Sequence, residues 1–385
     1  MSGDVSVDVI GGGYAGMYAA LVLARNGAVV NVYDAKERPG WPPNSTNGIA
    51  WHWVNEFIPD MPQDCISARI NSVRLIGPHG AEGVLRADNP LLKDRMGVVL
   101  DEPRAIAWLQ SMVMNCGGTI HRPVRVNSVA EIPGYGSHTA TVIADGWASK
   151  AGTEVGLTTP LRDDDRHSGF EYVMEPNGEA PDEIVLWFGT RKVPKGYIWS
   201  FPQDNGKLRR VGIGIPLSEH RMRPVDRYFQ DFLKAEGYRG PVYAREGGVI
   251  PTARPVPRYT DGRHWVVGDA GRFCDPLTGG GIFEALATGR AAAQQILKMP
   301  DADDLQWLIK ELRLRYRLKH LLYKFSDRTF DRMVRSLDMV FNGERLNPIA
   351  ERKRVLPPII IKMLPNIIAD VVDYHARQIF VGTHA

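Results

Sequence analysis

The sequence predicts an α/β protein with two domains and a helical C-terminal region. Three observations indicate this architecture. An apolar strand at residues 5–10 runs into a glycine-rich turn and an alanine-rich helix, as at the start of a parallel sheet. Alternating aromatic residues at 197–201, followed by Asn205-Gly206, indicate an antiparallel hairpin. At 385 residues, the chain is also too long for one ordinary core.

Composition excludes several classes of protein. The 47 Lys and Arg residues are almost balanced by 44 Asp and Glu residues, so no nucleic-acid partner is predicted. The three cysteines, Cys65, Cys116 and Cys274, have spacings that fit neither a metal site nor a disulfide framework. The sequence shows no secretion signal and no apolar run long enough to span a membrane. We therefore expect a cytoplasmic protein without a bound metal.

The first candidate site is the glycine turn after the first strand. It reads Gly11-Gly12-Gly13-Tyr14-Ala15-Gly16, which fits the G-x-G-x-x-G pattern of dinucleotide-binding turns. Such a turn lets the backbone approach a pyrophosphate, and the N–H groups at the helix N-terminus stabilise its charge. A glycine turn without a ligand is the alternative, but the flanking strand and helix favour dinucleotide binding.

The second strand supports the same interpretation. It covers residues 28–33 and ends at Asp34-Ala35. A carboxylate about 20 residues after the glycines is placed to accept a hydrogen bond from a ribose hydroxyl. This pattern alone does not distinguish FAD from NAD.

Two later strands also end in an acid beside a glycine. The strand before Ala144 is followed by Asp145-Gly146, and the strand before Gly268 is followed by Asp269. After Asp269 come Pro276 and a glycine loop, Gly279-Gly280-Gly281, and then a helix that begins at Ile282. The N-terminus of that helix would stabilise negative charge on a ligand above the loop.

The order of these three turns resembles that of the aromatic-hydroxylase superfamily of flavoproteins. The resemblance implies a Rossmann-like domain that binds FAD at a site assembled from distant segments. The residues that it implies for the cofactor are Gly11, Gly13, Tyr14, Ala15, Gly16, Asp34, Ala35, Arg104, Val124, Asp145, Gly146, Gly268, Asp269, Gly279, Gly280, Gly281 and Ile282.

Within that superfamily, the sequence resembles the geranylgeranyl reductases. The pattern Tyr197-x-Trp199-x-Phe201-Pro202, followed by Gly212-x-Gly214, resembles their signature, and residues 275–282 and 309–340 support it. The resemblance implies an FAD-dependent reductase that saturates C=C bonds of an isoprenoid, either a geranylgeranyl-type lipid or a diphosphate, by hydride transfer from reduced flavin. It further implies NADPH or a ferredoxin-like donor as the reductant.

The chain departs from the family at two places. Family members carry Pro-x-x-Cys-Gly-Glu-Gly after the second strand, whereas Ser45 stands here in place of the cysteine. A serine is a much poorer proton donor than a thiol, so either the proton comes from elsewhere or the reaction differs. The family arginine near the start of the third helix is also displaced, and Arg104 is the nearest candidate. We expect Ser45, Tyr197 and Trp199 to be the catalytic residues.

The predicted domains are discontinuous. Residues 1–65, 96–150 and 262–300 form the FAD-binding domain; residues 66–95 and 151–261 form a mainly antiparallel, inserted substrate domain; and residues 301–385 form a C-terminal helical region. The apolar segment 355–372 follows basic residues, so it either covers the substrate cavity or contacts a membrane surface. The sequence does not determine an oligomeric state.

Two other functions fit parts of the sequence. One is a flavin-dependent monooxygenase or halogenase, because halogenases carry a related Trp-x-Trp-x-Ile-Pro segment. Halogenases also need a buried lysine, which the sequence does not place. The other is a non-enzymatic flavoprotein or lipid-binding module, which the Ser45 replacement would permit.

Overall fold

The computed structural model describes residues 5–43, 45–89, 92 and 96–342. Within these residues, the strands are β1 (Ser6–Ile10), β2 (Val29–Tyr33), β3 (Gly48–Ala50), β4 (Ile66–Arg69), β5 (Ser72–Ile76), β6 (Glu82–Arg86), β7 (Gly97–Leu100), β8 (Thr119–His121), β9 (Ala140–Ile143), β10 (Arg166–Met174), β11 (Glu183–Trp187), β12 (Tyr197–Gln203), β13 (Leu208–Pro216), β14 (Val242–Pro251) and β15 (His264–Val266). The α-helices are α1 (Tyr14–Arg25), α2 (Trp51–Phe57), α3 (Glu102–Asn115), α4 (Lys150–Glu154), α5 (Leu217–Met222), α6 (Val225–Glu236), α7 (Ile282–Ile296), α8 (Gln306–Leu322) and α9 (Asp327–Asn342).

The first sheet is a five-stranded parallel sheet in the order β15-β9-β1-β2-β8. In its central strand β1, four of the five residues are buried, which fits a strand that is covered on both faces. Helix α1 is alanine-rich and buried along most of its length, so it packs closely between this sheet and α7. Because all five strands are parallel, the turns after β1, β9 and β15 meet at one edge of the sheet.

The second sheet has seven strands in the order β14-β10-β13-β12-β11-β5-β6. Every pair is antiparallel except β11 with β5. Helix α6 covers one face because its buried side chains recur at helical spacing, with Val225, Phe229 and Phe232 against the sheet. Helix α9 packs on the other end of the sheet, against β6 and β5.

The predicted fold class is confirmed: a Rossmann-like parallel sheet, a separate mainly antiparallel sheet, and helices after residue 300. One detail was not expected from the sequence. Strand β4 pairs with β7 in a small three-stranded sheet.

Only part of the C-terminal region lies among the described residues. Helices α8 and α9 agree with the helices expected there, whereas the apolar segment 355–372 lies outside the described residues. Among the helices described, none is both long and apolar enough to cross a membrane.

Candidate functional site

The turn between β1 and α1 brings backbone very close to the neighbouring strand. Gly11 has φ of +109°, and a Cβ there would lie 2.1 Å from the carbonyl oxygen of Ala144. Gly13, in contrast to Gly11, borders open space, because no atom lies within 4 Å of where its Cβ would be. Gly13 precedes Tyr14, the first residue of α1, so the helix N-terminus faces that open space. A phosphate group fits there.

Asp34 lies against this turn. Its carboxylate carbon would be 2.4 Å from a Cβ on Gly12, and it accepts hydrogen bonds from Arg122 at 3.0 Å and from the Lys36 backbone at 3.1 Å. The Val124 N–H bonds the Asp34 carbonyl oxygen at 2.8 Å, and Ala35 is exposed beside it. The structure therefore brings the predicted acid to the glycine turn, although Arg122 already neutralises part of its charge.

Asp145 follows β9, directly beside Gly11. Its Oδ2 accepts a hydrogen bond from the Ala151 N–H at 3.2 Å, near the start of α4, whereas its buried Oδ1 has no partner among the described residues. Burial raises the pKa of this carboxyl. Gly146 follows with φ of +82°.

Asp269 lies at the corresponding turn after β15. Burial raises the pKa of its carboxyl to about 6, and no hydrogen-bond partner for it occurs in the described part of the chain. Its Oδ1 would be 3.6 Å from a Cβ on Gly281, the residue before Ile282 at the start of α7. The preceding Gly268 N–H is held by the Thr288 hydroxyl at 3.0 Å. The unpaired acid and the helix N-terminus thus lie together.

Asp275 organises the loop that contains Gly279 and Gly280. It accepts hydrogen bonds from the Leu277 N–H at 2.8 Å and the Thr278 hydroxyl at 2.7 Å. Arg315 on α8 pairs with the same carboxylate at 2.7 Å. The loop is therefore fixed to α8, a connection that the sequence did not reveal.

A cavity lies between this loop, the aromatic strand β12 and the C-terminal helices. Its walls are largely apolar and aromatic, but three buried polar side chains also line it: His167, Thr252 and Lys319. The lining residues are His167, Phe188, Thr190, Val193, Lys195, Gly196, Tyr197, Trp199, Gly214, Ile250, Thr252, Pro276, Leu277, Thr278, Gly279, Lys319, Leu322, Tyr323, Phe325 and Phe330. Such a cavity suits a long apolar ligand.

Tyr197 and Trp199 both line this cavity. The Tyr197 hydroxyl donates to the Thr278 carbonyl oxygen, so it joins β12 to the glycine loop, and burial raises its pKa. The Trp199 indole N–H donates to Glu171 at 3.1 Å. Its ring lies so close to Gly212 that a Cβ there would be 2.5 Å away, which explains the glycine of the signature.

Glu171 belongs to a buried charge cluster behind the cavity wall. Arg210 donates to Glu171 through Nε at 3.0 Å and also pairs with Glu246. These charges are almost fully removed from solvent and fix the position of the Trp199 indole. Trp199 therefore also has a structural role, because the buried Glu171 fixes its indole in the cavity wall.

A second polar cluster faces into the cavity. Lys319 Nζ donates to the Thr252 carbonyl oxygen at 2.6 Å and to its hydroxyl at 3.3 Å. The Thr252 hydroxyl lies 2.6 Å from His167 Nδ1, and His167 Nε2 lies 3.0 Å from the Tyr323 hydroxyl. None of these four residues was predicted from the sequence. The spacing of Arg315, Lys319 and Tyr323 at four-residue intervals on one helix face was the available signal.

Two predicted residues lie elsewhere. Ser45 is exposed and bonds Asn47, and it is not among the described residues that line the cavity. Arg104 stands in the first turn of α3 with its side chain 61% exposed, where it bonds the Asp64 carbonyl oxygen and pairs with Asp101. Within the described residues, no group of His, Cys, Asp and Glu side chains could hold a metal ion.

Family models match two parts of the chain. A model of the geranylgeranyl reductase catalytic domain matches residues 165–249, which contain β12 and β13. A model of an NAD(P)-binding Rossmann-like domain matches residues 9–48, which contain the first glycine turn.

Several solved structures share the fold. A geranylgeranyl bacteriochlorophyll reductase-like protein from Thermoplasma acidophilum has a TM-score of 0.74 at 22% identity, with 96% of this chain and all of the other covered. A flavin-dependent brominase has a TM-score of 0.64 at 13% identity, with 98% of this chain and all of the other covered.

Curated relatives cover most of the chain. A digeranylgeranylglycerophospholipid reductase from Methanocella arvoryzae is 26% identical and covers 96% of this chain and all of its own length. A protein of the same name from Methanoculleus marisnigri is 30% identical over 326 residues, which are 79% of each chain. The chain therefore belongs to the geranylgeranyl reductase family of FAD-dependent oxidoreductases.

Proposed function

We propose that this protein reduces C=C bonds of an isoprenoid chain that is held in the cavity against bound FAD. The observation that carries the proposal is the position of the cavity: the glycine loop forms one wall, and the aromatic strand β12 forms another. When bound and reduced, FAD would supply the hydride. The protein side chains orient the alkene and exclude water from it.

The residues present fit FAD. An open space at Gly13 lies in front of a helix N-terminus, and the unpaired Asp269 carboxylate lies beside the start of α7. Asp145 keeps one buried oxygen without a partner. We propose that the cofactor lies along the residues Gly11, Gly13, Tyr14, Ala15, Gly16, Asp34, Ala35, Val124, Asp145, Gly146, Gly268, Asp269, Gly279, Gly280, Gly281 and Ile282. Arg104 could contribute only by leaving its present partners Asp64 and Asp101.

The substrate that we propose is a geranylgeranyl-type lipid or diphosphate, because the relatives are named for such a lipid. The reductant would be NADPH or a ferredoxin-like donor. The FAD-binding domain would comprise residues 1–65, 96–150 and 262–300, and the substrate domain residues 66–95 and 151–261.

Anaerobic single turnover tests this function. Purified protein should be yellow, and its chemically reduced flavin should be reoxidised by a geranylgeranyl lipid without oxygen, with a saturated product detected by mass spectrometry. A colourless protein that does not take up added FAD would overturn the proposal. Tyr197→Phe and Trp199→Ala are informative variants. Full turnover by both would show that the aromatic face of β12 has only a structural role.

A halogenase or monooxygenase is the second candidate. The observation in its favour is Lys319, a buried lysine that lines the cavity, of the kind that halogenases need. The anaerobic assay separates the two, because a halogenase or monooxygenase requires oxygen and a reductase does not.

A further inference from the structure

We propose that Lys319, Thr252, His167 and Tyr323 form a proton relay that delivers the proton needed to saturate the alkene, with Tyr323 as the group that touches the substrate. The inference rests on the proposed reductase function. It answers the question raised by Ser45, which replaces the cysteine of the family and is exposed outside the cavity.

The hydrogen-bond directions are set by the partners of His167. Its Nε2 lies 3.4 Å from the Lys195 carbonyl oxygen, which can only accept, so we assign the ring hydrogen to Nε2. Burial, assisted by the positive charge of Lys319, lowers the pKa of His167 to about 3, so the ring is neutral and Nδ1 accepts. The Thr252 hydroxyl therefore donates to Nδ1, and Nε2–H donates to the Tyr323 oxygen at 3.0 Å.

The hydrogen-bond directions at the two ends of the relay follow from this assignment. The Thr252 hydroxyl, which donates to His167, accepts from Lys319 Nζ at 3.3 Å. Tyr323 accepts from His167, so its own hydrogen is free to point into the cavity that it lines. Every member donates in the same direction, from the ammonium toward the cavity.

The reaction balances along this chain. One alkene carbon would receive a hydride from reduced FAD, and the loss of that hydride with its two electrons would leave the flavin oxidised. The other carbon takes the Tyr323 hydroxyl proton, as the π bond becomes two C–H bonds. Tyr323 regains a proton from His167 Nε2, His167 Nδ1 from Thr252, and Thr252 from Lys319, which is left neutral.

Lys319 can regain its proton from solvent. Its Nζ lies 3.8 Å from Asp165, whose partner Arg162 has a side chain 74% exposed, so the outer end of the relay meets solvent. Burial lowers the pKa of Lys319 to about 8, an effect that Asp165 and Asp164 oppose. The charged and titratable groups that face Lys319 from the neighbouring elements are Arg162, Asp164, Asp165, His167, Cys274, Tyr316, His320 and Tyr323.

The relay predicts a pH profile. Lys319 is charged and able to donate below pH 8, so the rate of alkene-dependent flavin reoxidation should fall as the pH rises through about 8.

Thr252→Val preserves the shape of the side chain but breaks the hydrogen-bond relay. It should slow reoxidation by roughly 10²-fold, the usual contribution of a general acid, and remove the fall near pH 8. Thr252→Ser, which keeps a hydroxyl, should restore both the rate and the profile.

Tyr323→Phe should slow reoxidation by a similar factor without weakening FAD binding, measured by fluorescence titration. The matched control is Tyr172→Phe, because Tyr172 is a buried tyrosine of β10 that does not line the cavity. A readout independent of turnover is the ¹⁵N NMR spectrum of His167 in the holoenzyme, which should show a neutral ring protonated at Nε2 from pH 5 to 9.

The outcomes are distinct. Wild-type reduced flavin that no isoprenoid reoxidises would overturn the reductase function and the relay with it. If the wild type turns over normally, two results would overturn the relay but not the reductase function. One is a Thr252→Val variant that keeps the rate and the pH profile of the wild type. The other is a His167 ring that is charged or protonated at Nδ1.

Discussion

The two ends of the proposed active site are built by different means. At the edge of the parallel sheet, backbone approaches backbone, as where Gly11 meets Ala144. At the cavity, side chains from distant segments make the contacts, as where Arg210 joins Glu171 and Glu246. The first end is therefore sensitive to the addition of any side chain, whereas the second is sensitive to the loss of particular functional groups.

The largest expected effect tests the backbone-built end. Gly11→Ala would place a methyl group 2.1 Å from the Ala144 oxygen at a φ of +109°, so we expect little folded protein. Gly13→Ala is the matched control because its methyl group would enter open space. It should keep the free energy of unfolding of the apoprotein within about 1 kcal/mol but weaken FAD binding. Equal stabilities in urea unfolding would contradict the comparison.

The charge cluster tests the side-chain-built end. Arg210→Met leaves Glu171 and Glu246 buried without their cation, and the expected cost is about 3–5 kcal/mol of unfolding free energy at neutral pH. Arg239→Met, at an exposed arginine, should cost less than about 0.5 kcal/mol. A small effect of Arg210→Met would show that the cluster tolerates an uncompensated charge.

Glu284, in the first turn of α7, sharpens the comparison because it is a buried acid at the backbone-built end. Burial, followed by repulsion from Asp275, raises its pKa to about 8. Its protonated form therefore contributes stability below the unfolded pKa, and this contribution is lost as the pH rises through 8. Glu284→Gln should be close to wild type at pH 5 but more stable at pH 9, by about 2–4 kcal/mol. A constant difference in urea unfolding at both pH values would refute this.

The smallest expected effect concerns Gly212, whose backbone closely approaches the Trp199 ring of the cavity wall. Gly212→Ala would put a methyl group 2.5 Å from the Trp199 indole, with an expected cost of about 1–3 kcal/mol. Gly136→Ala, where no atom lies within 4 Å, is the control. Thermal unfolding of both variants measures the difference, and similar melting temperatures would mean that Trp199 can move.

The difference between the two ends also explains what the sequence could predict. A backbone turn is encoded by adjacent residues, so the sequence predicts the strand before Gly11 and the start of the helix at Ile282 to within a residue. The polar chain could not be predicted, because Lys319 and Thr252 are 67 residues apart and His167 is 85 residues from Thr252. The alternating motif indicates that Trp199 lies on one face of a strand, but nothing local to the motif reveals Glu171 as its partner.

The ion pair between Arg315 and Asp275 has a mechanical consequence. Arg315 and Lys319 are four residues apart on α8, so a rise of about 6 Å along the helix axis separates the anchor of the glycine loop from the lysine. The glycine loop and the ammonium group are therefore both attached to one helix, so a displacement of α8 would change the position of both.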